Sequence, residues 1–251
     1  MIVKNKILIL FSSVLFTFTA IAQNKPSVWI ELGLSKELVK NLKLEFNPEL
    51  RMMDAFKMDS TSGFKMDSYI LEGGLSYKLH KYLTVASYFR FEEEYKAKYK
   101  KKRDENGEKI IPEEYEYIYS NNSSSRLAFD AKTGVDLDRF GFQFRLRYTQ
   151  GLYANSDASE FRFRTKVDYD IKRSKFIPFA SVEIFNDRSI LAADRDLISG
   201  DLKAIDKIRY TAGVSYTINK NNEATLYYRI QDSRFKNETS NILGIGYSHD
   251  F

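Results

Sequence analysis

The sequence predicts an all-β chain: an antiparallel transmembrane β-barrel of about 10 to 12 strands behind an N-terminal signal peptide. Three observations carry that expectation. The chain ends on an aromatic, Phe251, and stepping back by twos from it meets His249, Tyr247, Ile245 and Leu243, all bulky. At the other end Lys4 and Lys6 precede an apolar run from Ile7 to Ala22 that closes on Ala20-Ile21-Ala22. Between the two, alternating segments of about 10 to 14 residues recur, longer than the roughly 5 or 6 residues of the average soluble strand.

Residues 1–22 have the basic start, short apolar centre and small-residue end of a secretory signal peptide. The run is shorter than the ~20 apolar residues a membrane-spanning helix needs. No later stretch reaches that length either, so any insertion of residues 23–251 must be by strands. No Pro/Gly/Ser-rich linker divides them, and one barrel domain accounts for the whole. The absence of Cys excludes an N-terminal lipid anchor on cysteine and a disulfide-stapled secreted fold. With 17 Tyr and 19 Phe the chain is rich in aromatics, yet its mean hydropathy is −0.43, as a wall with one wet face requires.

Taken in order, the first strand reads at 28–38. At 42–52, Leu42, Leu44, Phe46, Pro48, Leu50 and Met52 alternate with Lys43, Glu45, Asn47, Glu49 and Arg51. Strands follow at 68–79 and 82–95. At 127–137, Leu127, Phe129, Ala131, Val135 and Leu137 oppose Arg126, Asp130, Lys132 and Asp136. Phe140, Phe142, Phe144, Leu146 and Tyr148 then face away from Gln143, Arg145 and Arg147. Phe161, Phe163, Val167, Tyr169 and Ile171 face away from Arg162, Arg164, Lys166, Asp168 and Asp170. Strands at 176–186, 207–218, 223–232 and 241–251 complete eleven. A β-sandwich could bury one face of such strands, but their length favours lipid as the apolar partner.

Short connections (40–41, 79–81, 138–139, 172–174, 219–222) alternate strictly with long ones (53–67, 96–122, 153–160, 187–205, 233–240). Outer-membrane barrels keep short turns in the periplasm and long loops outside, which sends the last strand down to Phe251 at the periplasmic rim. Eleven conflicts with the even number expected of bacterial barrels, so either 23–27 supplies a short closing piece or 28–38 does not span.

In the longest loop, Asn106-Gly107 suits a type I′ turn. Folding there brings a basic arm (Lys96, Lys98, Lys100, Lys101, Lys102, Arg103) against Glu113, Glu114 and Glu116, with Lys100 opposite Glu113 and a bulge expected near Pro112. A charge-balanced solvated hairpin accounts for this pattern, and a basic contact for lipopolysaccharide phosphates or a partner is the functional alternative.

The polar faces would place Lys43, Arg51, Arg90, Arg126, Lys132, Arg145, Arg147, Arg162, Arg164, Lys166, Arg209 and Arg229 in one lumen with Glu45, Glu49, Glu72, Glu92, Asp130, Asp136, Asp168, Asp170 and Glu183. Either the ladder of Arg145, Arg147, Arg162 and Arg164 lines a small anion-selective pore, or the mixture pairs with itself and plugs the wall. Catalysis is not expected. The two histidines fall in a short turn (His80) and on the lipid side near the terminus (His249), away from a candidate Ser. No metal-ligand cluster, cofactor motif or nucleic-acid motif is present.

Ser27-Val28-Trp29-Ile30-Glu31, the 42–51 strand, Tyr88-Phe89-Arg90-Phe91, Phe161-Arg162-Phe163-Arg164 and Pro178-Phe179 with Glu183-Ile184-Phe185 resemble an uncharacterised bacterial family, domain of unknown function 2490, common in Bacteroidetes. The resemblance covers essentially the whole mature chain. It implies an outer-membrane barrel and brings no activity and no site residue. The expected function is therefore a small passive pore or, alternatively, a non-conducting barrel that presents loops. Expected partners are outer-membrane lipid, lipopolysaccharide and, through the strand ending at Phe251, the barrel-assembly machinery.

Overall fold

Strands with one apolar and one charged face must give each face its own solvent, and a sheet closed on itself does so. The computed structural model describes residues 26–53, 65–99, 102–103, 109–110, 117–152, 159–187, 205–233 and 238–251, and the signal peptide expected at 1–22 lies outside them. The strands are β1 (Pro26–Val39), β2 (Leu42–Met53), β3 (Lys65–His80), β4 (Leu83–Tyr99), β5 (Lys102–Arg103), β6 (Lys109–Ile110), β7 (Tyr117–Leu137), β8 (Phe140–Gly151), β9 (Glu160–Tyr169), β10 (Phe176–Asp187), β11 (Lys207–Asn219), β12 (Asn222–Ser233) and β13 (Glu238–Asp250). All but β5 and β6 form one closed barrel, in the order β1-β13-β12-β11-β10-β9-β8-β7-β4-β3-β2.

The expectation of an even, wholly antiparallel barrel is corrected here. In an up-and-down barrel with an odd number of strands the first and last run the same way, so closure has to be parallel. β1 spans, and it pairs in parallel with β13 from Pro26↔Asn241 to Ser35↔Asp250. Parallel ladders are slightly weaker per residue. This seam is reinforced at its lower end, where Ser35 Oγ donates to Asp250 Oδ1 (2.9 Å), Lys43 Nζ donates to Asp250 Oδ2 (2.7 Å) and the Phe251 N–H donates to Ser35 O (2.8 Å).

The outer face is apolar and exposed, with Ile30, Leu44, Phe46, Phe89, Phe129, Leu146, Phe163, Leu226 and Ile245 all more than 40% accessible. Aromatics bracket it in cross-strand pairs: Tyr148 meets Phe161 (4.8 Å between centroids) on the long-loop side, and Phe140 meets Tyr169 (4.9 Å) and Phe176 meets Tyr216 (4.9 Å) on the short-turn side. Eight residues separate Phe140 from Tyr148, about 26 Å along a strand and about 20 Å once tilted, somewhat less than the ~25 Å apolar band of membrane barrels.

Inside, glycines make room for rings. A Cβ on Gly244 would fall within the ring of Tyr227, and one on Gly74 would collide with the backbone at Ser87 and Tyr88. The short turns use left-handed residues at Asn41 (φ 70°), Asp138 (φ 56°) and Arg173 (φ 61°). The first two are residue types that tolerate the region.

Above the barrel β4 and β7 continue as one ladder without a bulge from Leu83↔Thr133 to Tyr99↔Tyr117. The expected pairing of Lys100 with Glu113 falls outside the described residues. Two residues (100–101) lead up to the β5–β6 pairing of Lys102↔Ile110, against six (111–116) on the return, and those connecting residues, the Asn106-Gly107 turn and Pro112 lie outside the described ones.

Candidate functional site in the barrel lumen

Alternation from the apolar outer face turns every second side chain inward, and many of the inward ones are charged. An isolated buried charge is too costly to persist, so each needs partners within reach. Arg147 on β8 shows how this is met. Its guanidinium donates to Glu72 through Nη1 (2.7 Å) and Nη2 (2.9 Å), and to Asp130 through Nε (2.6 Å) and Nη2 (3.0 Å). Asp130 is on the neighbouring β7, but Glu72 is on β3, with β7 and β4 between. The pair therefore reaches through the lumen interior and does not run along the wall.

Other bonds do the same. Arg145 on β8 donates to Glu183 on β10 (2.8 Å), and Arg51 on β2 donates to Glu92 on β4 (3.2 Å) as well as to its neighbour Glu49 (2.7 Å). Lys132 on β7 lies 3.6 Å from Glu45 on β2 and donates to Tyr88 Oη (2.7 Å), which itself donates to Glu45 (2.6 Å). Arg90 contacts Glu92 (3.3 Å) and Glu72 (3.7 Å), Arg162 pairs with Glu160, and Arg209 shares Glu183 (3.6 Å).

Aromatic rings complete this belt. Trp29, 6% exposed, has the guanidinium carbons of Arg51, Arg229 and Arg209 at 4.2, 4.8 and 5.1 Å from its ring. Phe185, fully buried, takes Arg209 (4.5 Å) and Arg162 (4.9 Å). Rings spread the guanidinium charge over a polarisable face and exclude water from the pairs beneath them. These residues sit in the upper strand halves, on the long-loop side of the lumen.

A cavity of about 440 Å³ lies within this belt and extends below it. Arg51, Arg90, Arg145, Arg147, Arg162, Arg164, Lys166, Glu45, Glu49 and Glu183 all line it. It shares Gly33, Glu45, Asn47, Glu223 and Ser248 with a second space of about 440 Å³ at the short-turn mouth, so the two are continuous. Asp130 lies buried beneath Arg147. Arg126 is on the same face of β7, opposite Arg90 in register, with its Nε buried and lacking an acceptor. Asp168 is near the short-turn end and accepts from Gln143 Nε2 (3.3 Å).

Asp170 requires a correction. β9 stops at Tyr169, and Asp170 is exposed where the chain turns, its N–H donating to Arg139 O (2.8 Å), so it does not reach the lumen. Of the loop residues, Lys98 has its backbone in β4 opposite Ile118, and Lys102 and Arg103 form β5. Lys100, Lys101 and all five side chains fall outside the described residues. Among the described residues no group of three or more His, Asp or Glu is placed to hold a metal ion.

Sequence reasoning overlooked the inward aromatics. Trp29, Tyr88, Phe179, Phe185 and Tyr227 all line or close the cavity. The signal was there: Tyr88 precedes Arg90, and Trp29 precedes Glu31, by the two residues that share a strand face.

Residues 27–241 match the family model described as "Protein of unknown function (DUF2490)". The chain belongs to that family. No protein of curated function matches it. Among solved structures the DUF2490 chain is similar to LpxR from Salmonella typhimurium (12% identity over 86% of this chain and 84% of that one, TM-score 0.42). It is also similar to the beta domain of the Bordetella autotransporter BrkA (11%, 86% and 82%, TM-score 0.41) and to the KdgM porin (12%, 75% and 81%, TM-score 0.36). DUF2490 membership agrees with the resemblance drawn from the strand motifs.

Proposed function

We propose that this DUF2490 protein is a non-conducting outer-membrane barrel. Its lumen is closed on the long-loop side, and its activity is binding, not passage or catalysis. The observation that carries this reading is the Arg147 pairing with Asp130 on the adjacent strand and with Glu72 two strands beyond it, with Trp29 and Phe185 packed against the neighbouring arginines. An open channel leaves its lining charges wet, whereas these are buried. His80 is exposed at the short-turn rim, and His249 is engaged with Asn222 Oδ1 (2.7 Å) and the Phe251 ring, which supports a non-catalytic role. The exposed apolar belt supports lipid as the outer solvent, residues 1–22 support export, and the strand ending at Phe251 supports recognition by the assembly machinery. The basic arm from Lys98 to Arg103 supports contact with lipopolysaccharide phosphates.

The test is single-channel conductance of the refolded, membrane-inserted chain. The expected result is electrical silence from the native protein and discrete steps from Arg147→Ala combined with Trp29→Ala. Steps from the native protein would overturn the reading in favour of a small pore.

A further inference from the structure

Basic side chains outnumber acidic ones ten to six along the cavity lining, and three carboxylates outside the lining, Asp130, Glu92 and Glu160, offset Arg147, the pair Arg51 and Arg90, and Arg162. Five of the six acidic groups are already engaged: Glu72 holds Arg147, Glu183 is shared by Arg145 and Arg209, Glu49 holds Arg51, Glu31 accepts from Tyr227 and lies 3.6 Å from Arg229, and Glu45 is held by Tyr88 and Lys132.

The surplus concentrates on one wall. Arg145 and Arg164 are direct cross-strand partners, as are Arg147 and Arg162 one step above. Arg164 has no hydrogen-bond or ion-pair partner among the described residues, and the Nε of Arg145 is buried with no acceptor. Lys166, next on the same face as Arg164, has the Phe179 ring 4.7 Å from its Nζ as its contact. Two like charges directly opposite each other in a sheet repel. The other cross-strand neighbour of Arg164 is Glu183, which already hydrogen-bonds Arg145 and is shared with Arg209, so one carboxylate serves three guanidinium groups.

We propose that this wall is the binding site for a small anion carrying two or more charges, a polycarboxylate or a phosphate-bearing molecule, admitted from the short-turn mouth. Arg145, Arg164 and Lys166 supply its counter-charge. Guanidinium groups present parallel N–H donors that match carboxylate and phosphate oxygens, and a multivalent anion bridges what a single chloride would leave apart. The volume, about 440 Å³, falls within the roughly 300–1,000 Å³ of small-molecule sites. The hydroxyls of Ser181, Thr211 and Thr225 line the same space and add neutral donors. The site rests on the closed-lumen reading, because only a sealed upper belt makes it a blind pocket instead of a stretch of pore.

The probes are citrate and inorganic pyrophosphate, added to the refolded full barrel in detergent at constant ionic strength, with sodium chloride as the balancing salt. Thermal unfolding and isothermal titration are the readouts. Saturable stabilisation by one or both probes is expected, with affinity reduced at least tenfold by Arg164→Gln, reduced by Lys166→Gln, and unchanged by Lys78→Gln on the exposed rim. Preference for pyrophosphate assigns phosphate chemistry to the site, and preference for citrate assigns polycarboxylate chemistry. Absence of saturable binding by either, or binding that Arg164→Gln leaves untouched, overturns the proposal. Heat-modifiable gel migration confirms that each variant is folded. Conductance of the same preparations separates the two failures: a silent barrel that binds neither probe refutes this site alone, and a conducting one refutes the closed lumen.

Discussion

Arg147 and Glu72 are joined by two hydrogen bonds, 2.7 and 2.9 Å long, although two strands of the barrel wall stand between β8 and β3. A pair that skips two strands ties β8 directly to β3, and both groups are almost wholly removed from water. Replacing Arg147 with Ala leaves buried Glu72 with Arg90 at 3.7 Å and buried Asp130 with Lys132 at 4.0 Å as their remaining cations. The expected loss is about 3–5 kcal/mol in urea unfolding of the vesicle-inserted barrel, with Glu72→Gln costing less because Arg147 keeps Asp130. A double-mutant cycle on the two residues should give a coupling energy well above the ~1 kcal/mol upper end of surface pairs. A coupling below that would mean the bonds are water-screened and the lumen open at that level.

The parallel seam makes a prediction that the absence of native cysteine renders clean. Ile30 on β1 and Ile245 on β13 are register partners on the outer face, whereas Leu34 pairs with His249. Ile30→Cys with Ile245→Cys should therefore cross-link through a short thiol-specific reagent in the folded barrel. Leu34→Cys with Leu243→Cys, six residues out of register, should not. Cross-linking of the second pair alone would require a different closure.

Gly244 is expected to be intolerant of any side chain, since its inner side is occupied by the Tyr227 ring. Gly244→Val would have to expel that ring or push β13 away from β12, in the strand that also forms the seam. Loss of the heat-modifiable folded band is the expected outcome. Gly246→Ala is the contrast, because a Cβ there meets Thr225 at an ordinary 3.5 Å and should leave folding intact.

How much of this was legible in the sequence follows from what alternation can and cannot encode. Alternation identifies faces, so Leu42 to Met52 outside and Lys43 to Arg51 inside could be read directly. It gives no register between distant strands, so the meeting of Arg147 with Glu72, 75 residues apart, was not readable, nor was the sharing of Glu183 between Arg145 and Arg209. Asp170 followed the period yet missed the lumen, because the period says nothing about where a strand stops. Counting eleven strands was sound, and the error lay in importing a parity rule. Parity constrains closure only if the seam must be antiparallel, and the length of β1 allowed a parallel one.

The membrane band yields a depth-dependent test. Phe144 is midway between Phe140 and Tyr148 on the outer face of β8, and Leu137 closes β7 at the short-turn rim. An arginine at the centre of the hydrocarbon must shed its hydration or distort the bilayer, and one at the rim extends into the headgroups. Phe144→Arg should cost about 2–4 kcal/mol of folding free energy in vesicles, and Leu137→Arg about 0–1. The same two variants in detergent micelles, which adapt around a charge more readily than a bilayer, should converge. If the vesicle penalties were equal, the apolar face would be meeting protein and not lipid, since only a bilayer grades the cost of a charge by its depth.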